Sequence, residues 1–331
     1  MTMTALLRVI LAIPVVLVAV WGGLALGLRL PGPAWLAGGV AGMFFAAVAF
    51  AVLRVTPMRR KIVTLAALFA ILFAWWAMLR PSNDRVWTPD VTRLSTGEVR
   101  GDTLKLQNVR NFDYRSESDF TERWEERTYD LSKITGVDLF LSYWGSPNIA
   151  HTIMSWDFAD GQHLAVSIET RKERGEEYSA VRGFFRQYEL YYVVADERDV
   201  IRVRSNYRSE DVYLYRLGIP PEVARALLLD YVVTLNDLAA RPQFYNALID
   251  NCTTGIRVHT QHIGVARPWD WRLLVNGHGD EMLYERGIIN TSSPFAELKE
   301  ASRIASRARA ADQAPDFSQQ IREALPPRPA S

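Results

Sequence analysis

The stretch "NALIDNCTTGIRVH" holds Cys252, the only cysteine among 331 residues. A thiol does nucleophilic chemistry when its pKa is lowered or a base stands beside it, and the base in turn needs an orienting partner. Asn251 suits an N-cap, so Cys252 is expected in the first turn of a helix, where the dipole favours a thiolate. Backbone N–H groups at such a helix start, with Asn251 and Thr253 as supporting residues, are candidate oxyanion donors. Asn251 also reads as a cap alone.

The base must come from five histidines. His259 and His262 lie roughly 10 and 15 Å further along the same helix, too far to serve its start. His278, in "NGHGD", reads as a solvated loop residue. His151 and His163 flank Asp160-Gly161 in "IAHTIMSWDFADGQHLAVSIETRKE", a β-hairpin signal. A three-residue Ala159-Asp160-Gly161 loop brings His151 opposite Glu169, whereas His163 faces Asp157, about 20 Å away along the strand. A two-residue turn moves the partner of His151 to Thr170. The economical triad is Cys252 as nucleophile, His151 as base and Glu169 as orienter. The competing reading pairs Glu169 with Arg171, or with another arginine, as a structural ion pair.

Three charge-free runs, Val9–Leu28, Leu30–Leu53 and Ile62–Leu79, precede all of this. A hydrocarbon core about 30 Å thick needs about 20 helical residues, so three transmembrane helices are expected. Arg54, Arg59, Arg60 and Lys61 crowd the second connection, which the positive-inside rule puts in the cytoplasm. Met1 is then inside and everything beyond Arg80 outside. An extracytoplasmic structural cysteine is expected to have a disulfide partner, and this one has none in its chain. Net charge is +1, with nothing to suggest nucleic acid as a partner.

The division expected is 1–80 membrane helices, 81–110 linker and first short strands, 111–295 thiol domain, and 296–331 a charged surface helix with a frayed tail. Within the thiol domain, "QYELYYVVADERDVIRVRSNYR" reads as a second hairpin with Arg202 and Arg204 on its solvated side. "PPEVARALLLDYVVTLNDLAA" reads as an amphipathic helix. No Gly-rich phosphate loop, internal repeat or Cys/His spacing for zinc is evident, so no cofactor or metal is expected.

The blocks "IAHTIMSWDF", "SIETRKERGEEYS", "GFFRQYELYYVVADERDVI", "NYRSEDVYLY" and "FYNALIDNCTT" resemble the periplasmic N-terminal domain of the Lnb family of bacterial lipoprotein N-acyltransferases, from about Asn111 to His259. The resemblance implies an α+β, circularly permuted papain-like (NlpC-like) fold in which a histidine strand precedes the cysteine helix. His151 maps as base and Cys252 as nucleophile, while Glu169 and Arg171 fall in a characteristic block. The implied activity is a bacterial inner-membrane thiol acyltransferase facing the periplasm. Its partners are a phospholipid acyl donor and the N-terminal amine of a lipoprotein. A cysteine amidase or peptidase acting on cell-wall peptide, or a non-catalytic membrane-anchored binding module, fits the same residues.

Overall fold

The computed structural model describes residues 3–330. The chain up to Ser82, with Ser179–Gln187, forms one compact unit, and Asn83–Tyr178 with Tyr188–Ser331 forms a second.

Helices α1 (Met3–Arg29), α2 (Ala34–Arg54) and α3 (Met58–Met78) build the first unit. All three are long and apolar enough to cross a membrane. Most of their described side chains point outward, including Leu17, Leu53 and Ile71, as a lipid solvent allows once the backbone is satisfied within each helix. Gly22 and Gly23 give α1 no side chain where Phe44, Phe45 and Leu72 press in, the small-residue contact typical of membrane helices. Phe185 packs edge-on against Trp76, and the Arg186 guanidinium lies 4.8 Å from the same ring.

The second unit opens with β1 (Thr96–Arg100), β2 (Thr103–Arg110), β3 (Asp113–Tyr114), β4 (Phe120–Thr121), β5 (Trp124–Asp130), β6 (Ile134–Tyr143), β7 (Ala150–Phe158) and β8 (His163–Arg171). A short helix, α4 (Ala180–Gly183), belongs to the first unit. The chain then continues through β9 (Glu189–Ala195), α5 (Glu197–Val200), β10 (Asp211–Arg216), α6 (Pro221–Ala240), α7 (Cys252–His262), α8 (Gly279–Glu285), α9 (Phe295–Ser302), α10 (Ala305–Ala310) and α11 (Phe317–Gln320). The main sheet runs β1-β2-β9-β8-β7-β6-β10, with β5 also on β2, and is antiparallel except for β2 and β9. The fold is therefore mixed α and β.

Sequence patterning accounts for the layers. Met154, Trp156 and Leu164 point to one side of the sheet, and α6 covers them with Ala224, Leu227, Leu228, Tyr231 and Leu235. Those positions recur at three- and four-residue spacing after Pro221 at the first turn. Ile153, Tyr191, Val193 and Leu214 form the other side, beneath Ile304, Ala308, Phe317 and Ile321.

Two expectations are corrected here. Arg202 and Arg204 are not on a solvated strand. Asp196 caps α5, a π-helical turn over Val203–Tyr207 follows, and both arginines are buried. The alternation in "DVIRVRSNY" resembles a strand, but a side-chain cap at Asp196 starts helical geometry instead. The C-terminal segment forms three short helices in place of one, and its tail is anchored. Arg322 holds Asp138, Asp157 and Glu197, while Arg328 holds Asp138, Asp157 and the carbonyls of Val137 and Leu217. Buried carboxylates require such partners, and composition alone cannot announce them.

Candidate active site

Cys252 sits where the capping pattern puts it, at the first position of α7. The Asn251 side chain accepts from the Thr253 and Thr254 backbone N–H groups, and Thr254 returns a bond to the Asn251 N–H. The helix then lies close on the sheet at Gly255, where an added Cβ would stand 2.7 Å from Ile168 Cδ1. Its first turn meets the start of β7. Cys252 Sγ is 3.9 Å from the Ala150 carbonyl oxygen, and Thr253 Oγ1 is 3.2 Å from Thr152 Oγ1.

The β7–β8 hairpin has the three-residue loop. Phe158 N–H donates to Gln162, Gly161 takes φ +82°, and the ladder pairs Asp157 with His163 and Ile153 with Ser167. Continued two residues on, that register brings His151 opposite Glu169. The link between them is partly indirect: His151 Nε2 lies 3.5 Å from Glu169 Oε1. Ser167 Oγ is nearer, 2.6 Å from Nε2, and donates to Glu169 Oε1 at 2.8 Å. With Nε2 facing Ser167, Nδ1 is the nitrogen left to serve the thiol.

Glu169 has an arginine partner, and it is Arg204, whose Nη2 donates to Oε1 at 3.0 Å. Arg204 Nη1 also reaches Glu210 Oε2 at 3.2 Å, and Glu210 accepts from Ser142, the residue paired with His151 on β6. Both carboxylates thus meet the Arg204 guanidinium behind the imidazole, and Arg208 Nη1 stands a further 3.9 Å from Glu210 Oε1.

The ionisations follow from these neighbours. Burial raises the Cys252 thiol, but the hydrogen bond and charge of His151 outweigh it and bring the thiol down to about 7. Burial and Arg204 oppose charge on His151, yet the thiol and Glu169 shift it upward overall. Glu169 is held well below the usual carboxylate range, against the cost of burial, chiefly by Arg204 and then by His151.

The structure assembles Cys252, His151 and Glu169 and leaves Arg171 out. Arg171 donates to the Val91 and Thr92 carbonyls and to Asn83 Oδ1, with its guanidinium 4.2 Å from the Trp87 ring. Asn251 spends its side chain on the cap. That cap occupies the Thr253 and Thr254 N–H groups, two of those at the helix start. The Asn276 side chain stands beside the sulfur instead, with Nδ2 3.5 Å from Cys252 Sγ and 2.8 Å from Thr253 Oγ1, and Oδ1 accepting from Ala150 N–H. It comes from "NGHGD", where a single 3-10 turn over Asn276–His278 is too short to show a period in sequence.

Two expected outcomes follow. Glu169→Gln should slow thiol-dependent turnover about 10- to 100-fold, less than the 10²–10⁴ that a general base supplies. Loss of the carboxylate weakens the imidazolium and so the thiolate; the midpoint of thiol alkylation against pH should rise from about 7. An unchanged midpoint with a lower melting temperature would make Glu169 a structural ion-pair member only. His163, 2.9 Å from Asp157 Oδ1 at the far end of the hairpin, should behave oppositely. His163→Ala is expected to lower the melting temperature and leave the alkylation profile as it was.

A buried cysteine paired with a strand histidine, in a chain carrying three apolar helices, defines a membrane-associated thiol-bearing domain. Residues 120–277 match the family model described as the Lnb N-terminal periplasmic domain, so that stretch is similar to this family's domain. The match takes in Cys252, His151, Ser167, Glu169, Arg204 and Asn276. Together with three helices long and apolar enough to cross a membrane, this match describes a membrane protein with a periplasmic domain. Searches among curated proteins and solved structures found no match.

Proposed function

We propose that this is a periplasm-facing, inner-membrane thiol acyltransferase that moves an acyl chain from phospholipid through a Cys252 thioester to a lipoprotein N-terminal amine. One observation carries the lipid part of the reading. A cavity of about 450 Å³ has walls that include Thr253 and Asn276, both next to the sulfur, although Cys252 itself is not among the walls. The remainder is mostly aliphatic, with Leu139, Met154 and Leu283 among its residues. An acyl chain gains about 0.8 kcal/mol per methylene buried in such a space, whereas a cell-wall peptide gains little from it. The order of a histidine strand before a cysteine helix supports a permuted papain-like arrangement. The arginine cluster from Arg54 to Lys61 supports an N-terminus in the cytoplasm.

The chemistry uses groups already in place. The thiolate attacks the ester carbonyl carbon of the donor, and His151 holds the thiol proton. Asn276 Nδ2 donates to the oxyanion, and His151 then protonates the departing lysophospholipid hydroxyl. The acceptor amine attacks the thioester while His151 takes its proton. The thiolate leaves, and the amide is complete. Tethering keeps donor and acceptor, both lipids, at the surface where the site works.

Asn276→Ala is expected to slow the acylation step about 10²- to 10³-fold, the cost of one oxyanion donor. The reading is tested by incubating the purified chain with phospholipid vesicles and a diacylated lipopeptide bearing a free N-terminal amine. An N-acylated lipopeptide together with lysophospholipid supports it. Cleavage of a muropeptide without acyl transfer would overturn it in favour of an amidase.

A further inference from the structure

His259 and His262 are no use to the thiol, but they are not idle. They stand one turn apart on α7 and both turn toward α6, where Asp230 meets them. Asp230 Oδ2 is 2.6 Å from His259 Nδ1 and 3.0 Å from His262 Nδ1. One donor atom from each residue lies within 4.8 Å of the other two. The His259 ring is fixed: it stacks on Tyr231 at 3.7 Å, and its Nε2 is 2.9 Å from the Tyr192 hydroxyl. Side-chain exposure rises from 2% at His259 through 19% at Asp230 to 55% at His262, so the cluster runs from a rigid buried wall to open water.

We propose that Asp230, His259 and His262 bind a divalent cation of the zinc class, joining α6 to the helix that carries Cys252. Two imidazoles and one carboxylate select zinc, nickel or copper over calcium and magnesium, which prefer oxygen ligands throughout. Ligands about 2.0–2.2 Å from a tetrahedral ion stand roughly 3.3 Å apart; Asp230 Oδ2, now at hydrogen-bond distance from both rings, has to draw back a little, and His262 is exposed enough to adjust by side-chain rotation. On cation binding the single proton of the neutral His259 ring moves from Nδ1 to Nε2 by exchange with solvent, and the proton of His262 leaves its Nδ1 in the same way. His259 then keeps its proton on Nε2 and donates it to the Tyr192 hydroxyl, the outer hydrogen bond that orients a metal-bound imidazole. Three protein ligands with His262 at the surface leave the fourth position to water. The sequence alone hides this site, because Asp230 comes from a different helix.

The test uses the full chain in detergent carrying Cys252→Ser, so that no thiolate competes for metal. Titration calorimetry with zinc chloride should give one ion per chain with a dissociation constant in the micromolar range or tighter, and zinc should raise the melting temperature. His262→Ala, at an exposed position, should weaken binding at least about tenfold and remove the thermal shift while melting normally without zinc. His278→Ala, another half-exposed histidine, should change neither. No saturable binding at about 0.1 mM zinc, or binding that His262→Ala leaves intact, would overturn the site. The result is independent of what Cys252 does.

Discussion

Cys252→Ser should abolish acyl transfer, with a loss on the order of 10⁵- to 10⁶-fold, the scale seen when a covalent nucleophile is removed. The fold should hardly notice. Serine occupies nearly the same volume, and the sulfur's polar neighbours, Asn276 and the Ala150 carbonyl, accept a hydroxyl as readily as a thiol. A hydroxyl in this place stays protonated, because a neighbouring imidazole that draws a thiol down to about 7 leaves an alcohol far above neutrality. Activity assays and melting curves on the same preparation check both halves. A variant that keeps more than a small fraction of its transfer activity would remove the thioester from the mechanism.

His151→Ala carries the second large effect, through two additive routes. The imidazole is what lowers the thiol against desolvation, so its removal leaves burial unopposed. The pKa must therefore rise, past the ordinary thiol value of about 8.5. At pH 7 the ionised share falls from about half to a few per cent at most. Proton transfer to the leaving alcohol and from the incoming amine is lost as well, worth about 10²–10⁴. Together they give roughly 10³- to 10⁵-fold in rate. Alkylation of the folded variant should show its midpoint moved from about 7 to above about 8.5. A midpoint that stays put would mean that something other than His151 ionises the thiol.

What could be read from sequence was whatever depends on local periodicity. The Asp160-Gly161 loop sets the hairpin register, and register alone brings His151 toward Glu169. Asn251 before Cys252 marks a helix start, and charge-free runs mark the apolar helices. The missing parts arise from tertiary contact. Arg204 stands behind Glu169 because the chain after Asp196 turns helical, although its alternation mimics a strand. Asn276 reaches the sulfur from a single 3-10 turn. Ser167 was within the hairpin, but only side-chain distances show it standing between the imidazole and the carboxylate. Arg322 and Arg328 sit in a Pro- and Arg-rich tail whose acidic partners lie more than a hundred residues away. Arg171 shows the converse: proximity to Glu169 in sequence did not make it a partner, because carbonyls of residues 91 and 92 claim its guanidinium.

Intact-protein mass spectrometry shows directly whether Cys252 carries an acyl group. The purified chain is incubated with phospholipid vesicles in the absence of any amine acceptor, so that the thioester accumulates. A mass increase equal to one fatty-acyl group is expected, mapped to Cys252, lost on treatment with hydroxylamine and absent from Cys252→Ser. A chain that remains unmodified under conditions in which it later acylates a lipopeptide would contradict a Cys252 thioester.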